Sequence, residues 1–105
     1  MMLERKSSIE CLITAIVADY GRRAEEIAKK ELSPRVIMEY RYYNTKIYNA
    51  VAEIVGDSQA DRYISDIGGR KGYPKNGDIY YSEAIYYRKK QACKVGIARA
   101  LNLID

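Results

Sequence analysis

Histidine, tryptophan and phenylalanine are absent from the 105 residues, and cysteine and proline occur only twice each. Without histidine there is no Ser-His-Asp arrangement, no Cys-His pair and no His-containing metal motif, so most hydrolytic mechanisms fall away. Cys11 and Cys93 stand far apart with no CxxC spacing, which points to reduced, mostly buried thiols rather than a zinc site or a redox pair. The carboxylates of Glu25-Glu26 and of Asp57 and Asp61 read as helix faces and caps rather than as acids, bases or magnesium ligands. The expectation is a protein that is not an enzyme and holds no cofactor or metal.

Long hydrophobic runs are also missing. No apolar stretch approaches the roughly 20 residues a bilayer crossing needs, and the Met-Met-Leu-Glu-Arg-Lys start lacks the apolar core of a secretory signal. A soluble, cytoplasmic chain with no membrane partner is expected, and its length suits one domain over residues 1–105.

What the sequence has is tyrosine and unevenly placed charge. Eleven Tyr without Trp or Phe imply a core of phenol rings whose hydroxyls reach the surface. Residues 1–69 carry ten Lys/Arg against eleven Asp/Glu, whereas residues 70–105 carry eight against three. The net charge of +4 therefore arises from a first segment at −1 and a second at +5. A positive potential of that kind attracts polyanions, with DNA or RNA the most obvious, so the basic end is the candidate working surface.

Helical periodicity dominates throughout, and an all-α fold is predicted: a long N-terminal helical hairpin over 8–56, packed with a C-terminal helix-turn-helix-like region over 57–105. Ser7 and Glu10 make a capping-box pattern, followed by Ile9, Leu12, Ile13, Ile16, Val17, Tyr20, Ala24, Ile27 and Ala28 at helical spacing. This predicts a first helix from about Ser8 to Glu31, with Gly21 a place for a kink. Its other face, with Arg22, Arg23, Glu25, Glu26, Lys29 and Lys30, reads as solvated and paired Glu25–Lys29 and Glu26–Lys30. Ser33-Pro34 starts a second helix, whose seam of Ile37, Tyr40, Asn44, Ile47, Val51 and Ile54 should lie along the first, and Gly56 ends it. Tyr42, Tyr43 and Tyr48 fall off that seam and either cover a third element or mark a homo-oligomer interface.

Asp57 or Ser58 should cap a short helix through Ile67 with Ala60, Tyr63, Ile64 and Ile67 as its apolar face. Residues 68–78, with four Gly and one Pro, form a loop. It lacks the ordered GxxxxGK[ST] pattern and reads as a basic loop, in which Arg70, Lys71 and Lys75 can touch a nucleic-acid backbone. Ser82 caps the last helix, predicted to run to about Leu103 with Tyr86, Cys93, Ile97, Leu101 and Ile104 buried. Lys90 interrupts that stripe and should lay its stem on apolar neighbours while its ammonium reaches water. The exposed side then carries Glu83, Ala84, Tyr87, Arg88, Lys89, Gln91 and Lys94, short residues first and long donors after, which suits entry into a major groove.

The segment Ser82-Glu83-Ala84-Ile85-Tyr86-Tyr87-Arg88-Lys89-Lys90, continuing to Ala98-Arg99-Ala100-Leu101-Asn102-Leu103, resembles the C-terminal helix of phage late-gene transcription regulators of the ArpU/RinA type, which look like relatives of sigma-factor region 4. Asp78-Ile79-Tyr80 is similar to the start of their preceding scaffold helix. The resemblance covers about 25 residues. It implies a recognition helix capped by Ser82, with Tyr86 packed inward and Tyr87, Arg88 and Lys90 on or near the DNA side, and RNA polymerase among the partners. The function expected is a DNA-binding transcriptional regulator of phage or prophage origin. Lys89, Lys94, Arg70, Lys71 and Lys75 would contact phosphates, and Arg88 and Gln91 base edges. The rival is a non-catalytic helical interaction module, such as a homodimer, that uses tyrosines as contact area. RNA binding is a third reading, although no RRM, KH or zinc-knuckle signal is present.

Overall fold

The computed structural model describes residues 6–73 and 82–104, with side chains from Ser8 onward. The fold is all-α. After an opening π-type turn at Lys6–Glu10 come α1 (Cys11–Ala18), α2 (Tyr20–Lys29), α3 (Pro34–Val55), α4 (Asp57–Gly68) and α5 (Glu83–Ala100). No strand occurs among the described residues. The longest helix, α3, is the centre: α2, α4 and α5 pack on it, and α1 packs on α4.

The first helix is broken where one continuous element was expected. Asp19 leaves helical geometry (φ −88°, ψ 4°), two residues before Gly21, which continues within α2. A buried polar hub spans the break. Arg23, only 5% exposed, donates from Nε to Asn44 Oδ1 at 2.7 Å and from Nη2 to the Ile16 carbonyl at 2.6 Å. Asn44 Nδ2 in turn donates to the Tyr20 carbonyl at 3.1 Å. One guanidinium and one amide thus hold α1, α2 and α3 together, satisfying backbone carbonyls at the interruption. Arg23 is therefore not part of a solvated face. Lys29 pairs with Glu26 at 3.7 Å rather than with Glu25. The helix stops at Lys30, which takes left-handed geometry at φ 57°.

Ser33 and Pro34 start α3 as the sequence predicts, with Ser33 Oγ accepting from the Val36 amide at 3.4 Å. Gly56, at φ 86°, ends it and also precedes α4 directly. A side chain at that φ would be strained, so glycine is what permits the tight joint. Neither Asp57 nor Ser58 acts as a cap: the α4 N-cap is Gly56, and Asp57 Oδ1 accepts from the Tyr48 hydroxyl at 3.1 Å. Tyr48 accordingly covers the third element, whereas Tyr42 and Tyr43 stay exposed. On the α3 seam, Asn44, Ile47 and Val51 are buried, but Ile54 is exposed.

The apolar face of α4 is buried as expected, at Ala60, Tyr63, Ile64 and Ile67. Its last residue, Gly68, lies against the end of α1: a Cβ there would sit 3.0 Å from Ala18 Cα and 3.1 Å from the Val17 carbonyl. Only glycine lets the two backbones approach this closely. Helix α5 is capped by Ser82, whose Oγ accepts from the Ile85 amide at 3.3 Å. It ends at Ala100, short of the expected Leu103, because Asn102 turns left-handed (φ 60°) and the Leu103 amide bonds back to the Ala98 carbonyl at 2.8 Å.

Candidate nucleic-acid interface

Helix α5 changes character along its length. Glu83, Ala84, Ile85, Tyr87 and Arg88 are exposed, but from Lys90 to Ala98 the buried residues are Lys90, Cys93, Val95, Ile97 and Ala98. These positions do not form one stripe. The second half is enclosed on more than one side, because α3, α4 and α1 all reach it. The exposed face that the sequence extends to Lys94 therefore stops after about two turns.

Three expected side-chain placements are corrected by this enclosure. Lys94 Nζ lies 3.1 Å from Glu10 Oε2, with both side chains about one-fifth exposed, so it is tied to the opening turn rather than projecting into water. Gln91 is half-buried, and its Nε2 is buried with no hydrogen-bond partner among the described residues, which turns it away from any base edge. Lys90 is 9% exposed, and its ammonium donates to the Lys71 carbonyl instead of reaching water. Burial, followed by the neighbouring Lys94 charge, pulls the Lys90 pKa below its ordinary value. Cys93 is buried as expected, its thiol pushed up to about 12 by desolvation, whereas Cys11 is exposed.

The Lys90 bond belongs to a latch that the sequence did not suggest. Tyr87 is 46% exposed, yet its hydroxyl accepts from the Tyr73 amide at 3.0 Å. The Tyr86 ring packs within 5.1 to 5.5 Å, centroid to centroid, of Tyr63, Tyr73 and Tyr87. Its hydroxyl donates to Asp66 Oδ2 at 2.6 Å, and Arg62 stands 3.9 Å from the same oxygen. Asp66 itself is buried, and its backbone carbonyl accepts from the Lys71 amide at 2.8 Å. A cluster of four tyrosines and one carboxylate thereby binds the Arg70–Tyr73 segment to the first two turns of α5.

Several cations on this segment and on the start of α5 keep their accessibility. Arg70, Lys71 and Arg88 are exposed and Lys89 is half-buried. Arg70 and Arg88 have no acid within ion-pair distance among the described residues, and the Lys71 ammonium reaches only Ser65 Oγ at 3.4 Å. Glu83 is exposed in the first turn of α5, where its charge favours the helix dipole. Arg99 is also exposed, eleven residues and about 16 Å along the helix from Arg88. Lys75 and Asp78-Ile79-Tyr80 lie outside the described residues. Residues 69–82 join α4 to α5, a longer connection than the roughly 3–4 residues of a helix-turn-helix turn.

No protein-family model, curated protein or solved structure matches the chain. Among the described residues no group of three or more His, Cys, Asp or Glu is placed to hold a metal ion. None of their helices is long and apolar enough to cross a membrane.

Proposed function

We propose that this chain is a small DNA-binding protein of the regulatory kind that its last helix resembles, holding the duplex mainly through its phosphates. The observation that supports this reading is the set of available cations: Arg70, Lys71 and Arg88 are exposed with no carboxylate partner among the described residues, and the Tyr87–Tyr73 and Lys90–Lys71 bonds hold the segment that carries Arg70 and Lys71 against the start of α5. Unpaired exposed cations at fixed positions release counterions when they meet a polyanion, and that release is the main source of sequence-independent affinity. Arg88, on the exposed start of α5, remains the side chain for a base edge, while Arg70, Lys71 and Lys89 serve the backbone. A transcriptional role, with RNA polymerase as a partner, follows from the resemblance alone.

The test is duplex binding followed by fluorescence anisotropy across a salt series. Affinity should fall steeply with salt, and replacing both Lys71 and Arg88 by Ala should reduce the log–log slope by about two. Absence of a complex at about 50 mM salt, or a double variant that binds like the parent, removes the reading.

A second reading is favoured by one separate surface. On α3, Met38 is 70% exposed, Tyr42 47% and Tyr43 39%, and with Glu39 they line a shallow cavity of about 400 Å³. Aromatic and methionine side chains on an open helix face suit a protein contact, including a second copy of this chain. Sedimentation of the Met38→Asp variant beside the parent tests it: a dimer that disappears supports the contact, and an unchanged monomer removes it.

A further inference from the structure

Away from the exposed face of α5, a cavity of about 270 Å³ lies between the start of α1, the end of α4 and the middle of α5. It is lined by Glu10, Cys11, Thr14, Ile67, Arg70, Lys90 and Lys94. Three cations and one carboxylate meet there, leaving an excess of two positive charges in a partly closed space. An ammonium has three N–H donors. Among the described residues Lys90 spends one on the Lys71 carbonyl and Lys94 one on Glu10, while Arg70 spends no side-chain donor. Burial, followed by the neighbouring Lys94 charge, holds the Lys90 pKa below its ordinary value.

We propose that this cavity is a phosphate site, in which one phosphoryl group accepts from Arg70, Lys90 and Lys94 and displaces the carboxylate of Glu10 from Lys94. The cavity has room for a tetrahedral oxyanion, and Lys90 and Lys94 line it from buried or half-buried positions while Arg70 reaches it from the exposed surface. Glu10 is thus a resident competitor, a carboxylate occupying one place that phosphate oxygens would take. The phosphoryl group is either free phosphate or the terminal phosphate of a nucleic-acid strand. Apart from sharing Arg70, the site does not rest on the duplex-binding reading.

Backbone-amide NMR titration with inorganic phosphate, against chloride at equal ionic strength, tests the proposal. Saturable shifts are expected at Glu10, Thr14, Arg70 and Lys94 with phosphate only. Glu10→Gln should tighten binding about tenfold by removing the competitor, and Lys94→Gln should weaken it by about tenfold. Arg70→Asn, a substitution suited to the left-handed geometry at φ 56°, should also weaken it, and it keeps the test open if a Lys94 variant fails to fold. Matched shifts in phosphate and chloride, or an affinity unmoved by both Glu10→Gln and Arg70→Asn, overturn the site. A 5′-phosphorylated oligonucleotide that outcompetes its 5′-hydroxyl form identifies a strand terminus as the source, failure of both forms to compete identifies free phosphate, and equal competition by both overturns the site. Arg88→Ala separates the two readings: it should weaken duplex binding, lowering its salt slope by about one, and leave the phosphate titration unchanged.

Discussion

The two ends of the molecule each bury a cation, and they use it differently. In the hairpin, Arg23 bridges three helices through Asn44, the Ile16 carbonyl and, by way of Asn44, the Tyr20 carbonyl. At the other end, Lys90 makes one bond, to the Lys71 carbonyl, and its surroundings include Lys94 and Asp66. Neither is paired to a carboxylate within ion-pair distance among the described residues, and burial lowers the pKa of both. The lesson is that a buried charge stabilises a fold through the number of polar groups it satisfies, not through its charge. The hairpin cation is architectural. The other holds a connecting segment against a helix and leaves a positive field beside it.

The largest test of this contrast is Arg23→Met. It should cost about 3 kcal/mol, because Asn44 and a backbone carbonyl are left buried without a donor. Lys90→Met, read in the same denaturant titration, should cost no more than about 1 kcal/mol, since loss of one bond is offset by removal of a buried charge. Its signature should instead be faster hydrogen exchange at Lys71–Tyr73. Equal losses in the two variants would break the comparison.

Tyr86→Phe comes between them, at about 2 kcal/mol, because the buried Asp66 loses its closest donor. This effect carries a pH signature. Burial, and then the bond to Asp66, raise the Tyr86 pKa above the ordinary 10.0. Above that pH the unfolded tyrosine ionises while the folded one keeps its proton, so the stabilisation is complete below pH 10 and is lost as pH rises beyond it. Alkaline unfolding of the parent should therefore be steeper than that of Tyr86→Phe. The smallest effect belongs to Tyr87→Phe: about 0.5–1 kcal/mol, with exchange at the Tyr73 amide accelerated and the hairpin untouched.

Much of the architecture was legible from local signals. Ser33-Pro34, Gly56, Gly68-Gly69 and Ser82 each mark a boundary through the chemistry of one or two residues, and the structure places boundaries there. The face of α4 follows from a 3.6-residue period because Ala60, Tyr63, Ile64 and Ile67 share one side of the helix and all are buried. Beyond Arg88 the face of α5 departs from the sequence reading because its buried residues, Lys90, Cys93, Val95, Ile97 and Ala98, do not share one stripe. The charged neighbours of Arg23 in sequence point to a solvated position, but Asn44, 21 residues away, takes it inward. Likewise nothing local couples Lys94 to Glu10 across 84 residues, and that contact both subtracts a cation from the exposed face and shapes the recessed cavity.

Alone, the sequence determined that the chain is helical, where most of its helices begin and stop, and that its positive excess sits after residue 69, since these depend on residue type and near-neighbour spacing. Tertiary structure decided which cations remain available. Availability depends on which oxygens a side chain meets once the helices have packed, and for Arg23, Lys90 and Lys94 those oxygens belong to residues distant along the chain.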